Sequence, residues 1–219
     1  MKLTKILVGA SAGLMMAAAI PQAQAESPLT ANVGVTSNYI WRGVTQSSDI
    51  AAVSGGIDYA HSSGVYVGTW VSNLDGGQYE QDLYAGYGFD AGPVGLDIGY
   101  IKYMYPVGDV QLDFDEIYVN ATFKMFGLGV AYTTSKEGNP PKKNDMYYYV
   151  SADFEIKKDL TLGLLAGKYN YDDPATTDYT HYKASLSKDD FTFAYEKTNY
   201  SGSAGDPRFT VSWSKSFDL

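Results

Sequence analysis

Nucleophilic catalysis needs a serine or cysteine beside a base that a third group orients, and this chain offers little of that kind. It has no cysteine and only two histidines, His61 and His181. His61 stands in His61-Ser62-Ser63-Gly64, a string that reads as a tight turn. His181 lies one alternate position from Lys183 and two from Ser185, with no acid placed to orient it. No catalysis is expected. Asp172, Asp173 and Asp178 could offer oxygen ligands to calcium, but their spacing is not that of an EF-hand, and they read as solvated loop acids. No Gly-rich phosphate loop is present, so neither a metal nor a cofactor is expected.

The remaining chemistry is that of fixed charge. Asp58, Asp82, Asp97, Glu116, Asp153, Glu155 and Glu196, with Arg42, Lys124 and Lys183, fall on the polar phase of alternating apolar stretches. If that phase faces an enclosed lumen, seven acids against three bases favour cations or neutral polar solutes. The bland counterpart is a lumen in which these groups pair off as a structural network, with Arg42 and Lys183 as nodes. A net charge of -9 argues against nucleic acid as a partner.

Twelve stretches carry the alternation, and they begin at Leu29–Trp41, Ala51–Ala60 and Val65–Ser72. Gln81–Asp90 and Val94–Tyr103 follow, and then stretches centred on Val119, Val130 and Ala152. The last four are centred on Leu164, Ala184, Phe193 and Trp213. Their connections alternate between tight and long, for example His61–Gly64 against Arg42–Ile50. That alternation marks an outer-membrane barrel rather than a soluble sandwich. Lipid offers the backbone no hydrogen bonds, so the sheet must close. The fold expected is all-β: a single transmembrane antiparallel up-and-down barrel of about 12 strands.

Phe89, Phe123, Phe126, Phe154, Phe191 and Phe217 would form one aromatic girdle; Tyr39, Trp41, Tyr100 and Tyr195 would form the other. Lys102, Lys136, Lys168 and Lys197 continue the outward phase at the long-loop ends, where lipopolysaccharide phosphates are a candidate partner and a solvated rim is the plain alternative. Inward glycines such as Gly68, Gly86, Gly99 and Gly129 leave space that Tyr66, Trp70, Tyr84, Tyr118, Tyr147 and Tyr149 partly refill. Twelve strands enclose a cylinder roughly 24 Å across, so a narrow path is expected. Residues 1–25 pair Lys2 and Lys5 with an apolar run, Pro21 and Ala23-Gln24-Ala25, the signature of a cleaved signal peptide. Residues 26–219 then form the barrel domain of an exported outer-membrane protein that depends on the barrel-assembly machinery.

The string Ser37-Asn38-Tyr39-Ile40-Trp41-Arg42-Gly43-Val44-Thr45-Gln46-Ser47 resembles the signature of the TorF family of porin-type Gram-negative outer-membrane proteins. Asp82-Leu83-Tyr84-Ala85-Gly86-Tyr87 and the late Ser214-Lys215-Ser216-Phe217 extend the likeness. The resemblance implies an outer-membrane barrel that passes small polar solutes or ions. Asp218-Leu219 departs from the usual aromatic end, with Leu219 still in the lipid-facing phase.

Overall fold

The structure, a computed structural model, describes residues 27–107, 112–138 and 143–219; the leader expected over 1–25 lies outside them. Among the described residues fourteen strands follow one another: β1 (Leu29–Thr36), β2 (Ile40–Trp41), β3 (Val44–Thr45), β4 (Ala52–Ala60), β5 (Val65–Asn73), β6 (Tyr79–Ala91) and β7 (Val94–Met104), then β8 (Phe114–Phe123), β9 (Phe126–Lys136), β10 (Met146–Lys157), β11 (Leu160–Asn170), β12 (Tyr179–Lys188), β13 (Phe191–Thr198) and β14 (Arg208–Asp218). Twelve of them close into an antiparallel barrel in which β1 pairs with both β4 and β14. The other two, β2 and β3, form a separate small hairpin.

The barrel is inside-out relative to a soluble protein. On β13 the apolar Phe193 is 58% exposed, whereas its inward neighbours Thr192 and Ala194 are 3% and 7% exposed. Glu80, Asp82, Glu116, Thr133 and His181 are buried, while Val53, Val65, Leu128 and Phe191 stand exposed on the outer face. A sandwich in water would bury the second set and expose the first; this surface is that of a barrel meeting lipid. Tight turns and both ends of the barrel sheet share one rim, because β1 begins and β14 ends at the pairing Thr30↔Asp218. The long connections gather at the opposite rim.

Two elements differ from the sequence reading. The first strand stops at Thr36 rather than Trp41. There the Thr36 hydroxyl donates to the Asn38 carbonyl (2.9 Å) and accepts from the Asn38 N–H (3.4 Å), a local alternative to the sheet ladder that turns the chain inward. The β8–β9 turn is Lys124-Met125 rather than Phe126-Gly127, since Phe123 pairs directly with Phe126.

Candidate functional site

The segment after β1 folds into the lumen. Ile40 pairs with Thr45 and Trp41 with Val44, and the two linking residues, Arg42 (φ 49°) and Gly43 (φ 83°), both have positive φ. Two consecutive positive φ values make the type I′ turn that a two-residue hairpin favours. Gly43 is needed twice over, for a Cβ there would press into His181 and Thr198. Side chains then tether the hairpin's base. Asn38 accepts from Thr45 (2.6 Å) and Ser47 (3.1 Å) and donates to Asp49 (2.7 Å), which also accepts from Arg208 (2.7 Å). The Ser47 hydroxyl accepts from the Tyr39 N–H, and Tyr39 Oη donates to Glu80 (2.5 Å).

The hairpin spans the full width of the barrel. In the ring of strands β9 stands opposite β1, and Arg42 reaches the two strands that flank β9. Its guanidinium donates through Nη1 and Nη2 to both oxygens of Glu116 on β8 (2.8 and 2.6 Å). The same guanidinium lies 4.2 Å from the ring centres of Trp41 and of Tyr147 on β10, and 5.4 Å from that of Tyr169 on β11. Trp41 in turn meets Tyr103, Phe114 and Tyr169 edge-on or tilted. Planar, bidentate pairing between aromatic faces is what Arg does and Lys does not. Tyr39 and Trp41 are therefore no part of an outer girdle: Tyr39 is buried and both rings pack inside the lumen.

Beneath the hairpin the tyrosines lie along the wall. Register sets Tyr66 opposite Gly86, Tyr84 opposite Gly68, Tyr118 opposite Gly99 and Tyr149 opposite Gly129. Each ring occupies the place where its glycine's Cβ would be. The absent side chain lets the ring fold flat on the neighbouring strand instead of standing into the centre. Carboxylates and amides hold the rings there. Tyr84 donates to Asp58, which also accepts from Asn32 (3.2 Å). Tyr66 donates to Asp97 (2.6 Å) and meets the Tyr118 hydroxyl (2.5 Å), and Asn120 links Asp97 to Tyr149. Nearer the tight-turn rim the inward residues are small and polar, such as Gly95, Gly163, Ser185 and Thr192.

The other expected lumen residues divide as follows. Lys183 pairs with Glu196 (3.3 Å), both largely buried. Asp153 and Glu155 share the inward phase of buried Tyr147 but are exposed near the tight-turn rim. Asp82 is fully buried, and neither of its carboxylate oxygens has a hydrogen-bond partner among the described residues. Lys124 is corrected: it sits in the β8–β9 turn with φ 55°, its ammonium 5.2 Å from the Phe123 ring, because a turn position has no strand phase. On the outer face Lys102 pairs with Asp115 (3.5 Å). Lys136 is corrected: a bulge between the pairings Glu116↔Thr133 and Asp115↔Ser135 flips its phase and sets it beside Phe114, whose ring packs in the lumen on Tyr103 and Trp41. Its ammonium meets buried Asp145 (3.0 Å) and lies 5.8 Å from the Tyr171 ring. Lys168 and Lys197 have no ion pair among the described residues. His61 shares a hydrogen bond with Ser63 in its turn (2.8 Å), and His181 Nε2 with Tyr147 Oη (2.8 Å). Asp172 accepts from Asn144, and Asp178 accepts from the Tyr171 N–H.

Sequence reading missed Glu80, which accepts from Tyr39 and from Tyr105 (2.7 Å). It also missed the buried layer of Tyr103, Tyr169 and Tyr179. The available signal was phase: Glu80 is two residues before Asp82, Tyr103 two after Ile101, and Tyr169 two after Gly167.

Among solved structures the barrel is similar to the KdgM porin (TM-score 0.57, 13% identity, 86% of this chain and 99% of that one). It is also similar to the NanC porin (TM-score 0.56, 12% identity, 87% and 100% covered). A third likeness is to the KdgM porin in complex with disordered oligogalacturonate (TM-score 0.55, 12% identity, 86% and 98% covered). These likenesses show a shared fold. No curated protein matches the chain. The family model described as "Bacterial protein of unknown function (Gcw_chp)" matches residues 22–217.

Proposed function

The chain belongs to the Gcw_chp family, and we propose that it is an outer-membrane channel for passive diffusion of small polar solutes or ions, narrow and favouring cations. One observation carries this reading. The wall from β4 to β8 presents Asp58, Glu80, Asp82, Asp97 and Glu116 to the lumen, and among the described residues the cation paired with this wall is Arg42 of the hairpin, while the inward Lys183 pairs with Glu196. Carboxylates along one wall attract cations and repel anions. An oligogalacturonate such as the KdgM complex holds carries carboxylates, so this lumen suits a different class of solute. The glycine-seated tyrosines support a central path below the hairpin, and the TorF resemblance agrees with a porin role.

A second reading is favoured by the hairpin itself, which spans the lumen and matches a closed structural or interaction barrel. Planar-bilayer recording of the refolded chain separates the two. Discrete steps whose reversal potential under a KCl gradient reports cation preference support the channel. A barrel that shows heat-modifiable migration yet stays electrically silent overturns it.

The surroundings follow from the same reading. Export uses the leader at residues 1–25, insertion uses the outer-membrane assembly machinery, and the apolar belt meets lipid. Of the outer lysines Lys102, Lys168 and Lys197, the last two are the better candidates for lipopolysaccharide phosphate, since Lys102 already has a carboxylate partner and Lys136 faces the lumen.

A further inference from the structure

The Arg42 guanidinium is held as a bound ligand would be: both oxygens of one carboxylate, two rings at 4.2 Å and a third at 5.4 Å. It reaches that place from a loop, across the whole lumen, and most of the walls around it belong to the barrel rather than to the hairpin. Glu116, Tyr147, Tyr169 and Tyr103 stay in the barrel wall whatever the hairpin does. Only Trp41 would leave with Arg42.

A second observation points to a cation in addition to Arg42. Asp82 is completely buried with both carboxylate oxygens unpartnered among the described residues. Register sets it directly opposite Tyr103, whose hydroxyl is 3.5 Å from Glu116. Glu80 is one inward step away and accepts from the Tyr39 and Tyr105 hydroxyls. Three carboxylates therefore border this level of the lumen, and one guanidinium faces them. A buried carboxylate without a donor is costly, and a cationic guest would relieve it.

We propose that the barrel-wall pocket of Glu116, Tyr147, Tyr169 and Tyr103 is a binding site for guanidinium-bearing solutes, and that Arg42 is its built-in competitor. This rests on the channel reading and names the solute class of that channel. A planar guanidinium reproduces the fork on Glu116 and the ring contacts, which a compact ammonium does not. With Arg42 seated the path is obstructed; a solute that takes its place frees the hairpin tip. A group tethered so closely competes at an effective concentration in the mM range, so free solute displaces it only at comparable concentrations.

The test titrates methylguanidinium, with methylammonium as the control, into the refolded barrel by calorimetry and records bilayer currents in parallel. Wild type should bind saturably in the mM range. Arg42→Gln should bind with half-saturation at least tenfold lower, and Arg42→Gln combined with Glu116→Gln, which removes both charges, should not bind. Saturation that survives in the double variant overturns the site, as does a folded Arg42→Gln barrel that fails to bind. If Arg42→Gln does not fold, wild type decides. Saturable binding that methylammonium does not share supports the proposal; no binding up to roughly a hundredfold above that mM range overturns it. Binding without current sinks the channel reading alone, and current without binding sinks this proposal alone.

Discussion

At the scale of single residues, the buried pair Arg42–Glu116 is where one substitution should matter most. Both side chains are almost wholly removed from solvent, and deleting one partner of such a pair leaves an uncompensated charge at a cost of about 3–5 kcal/mol. Glu116→Gln should accordingly lower the urea midpoint of the refolded barrel, whereas Glu155→Gln, at the exposed rim, should leave it nearly unchanged. Asp49 behaves differently because it lies outside the spanning strands. The hydrogen bond from the Arg208 guanidinium holds its carboxyl below the ordinary carboxylate range, against partial desolvation. A lowered folded value means that its contribution is fully present above the unfolded pKa, about 3.9, and is lost as pH falls through the lower folded value. The tether from Asp49 to Asn38 and Arg208 should thus persist unchanged from pH 7 to about 5. An NMR titration of the Asp49 carboxyl carbon checks this: a midpoint at or above the ordinary value contradicts it, and Arg208→Ala should restore that value.

At the scale of elements, the β2–β3 hairpin is built from local rules and placed by long-range ones. The I′ turn needs positive φ at Arg42 and Gly43, and Asn38 organises the base. None of these bonds contributes to the barrel ladder, which closes through β1, β4 and β14. Replacing residues 40–45 with a Gly-Ser link should leave heat-modifiable migration intact and raise single-channel conductance several-fold. An unchanged conductance would mean that the hairpin does not set the limiting width. The glycine–tyrosine pairs are the complementary device. Gly129→Val should displace the Tyr149 ring from the wall, break its bond to Asn120 (3.1 Å) and lower conductance, and tyrosine fluorescence anisotropy would report the freed ring.

At the scale of the whole molecule, the closed sheet separates an apolar exterior from a lumen with an excess of carboxylates, and selectivity should be a property of their sum. Asp58→Asn together with Asp97→Asn removes two of the five carboxylates on the β4–β8 wall while keeping acceptors for Tyr84 and Tyr66. The reversal potential under a KCl gradient should move toward zero; a cation preference that stays unaltered would locate selectivity elsewhere. Much of this molecule was legible in the chain itself. Alternation with period two determined the strands and which face of each meets lipid, since one slipped residue would invert every side chain. The alternating lengths of the connections determined the two rims. The phase of Asp58, Asp97 and Glu116 determined that they face inward. The fate of Ser37–Ser47 was not legible, because Tyr39, Ile40 and Trp41 are as suited to a strand end as to a folded plug. What decides between them is a carboxylate 74 positions away, at Glu116, and rings at Tyr147 and Tyr169 on the far wall. Such partners exist only once the barrel has closed and set opposite strands face to face. Whether glycine makes room or tyrosine takes it was likewise decided by register between neighbouring strands, a relation that no single strand contains.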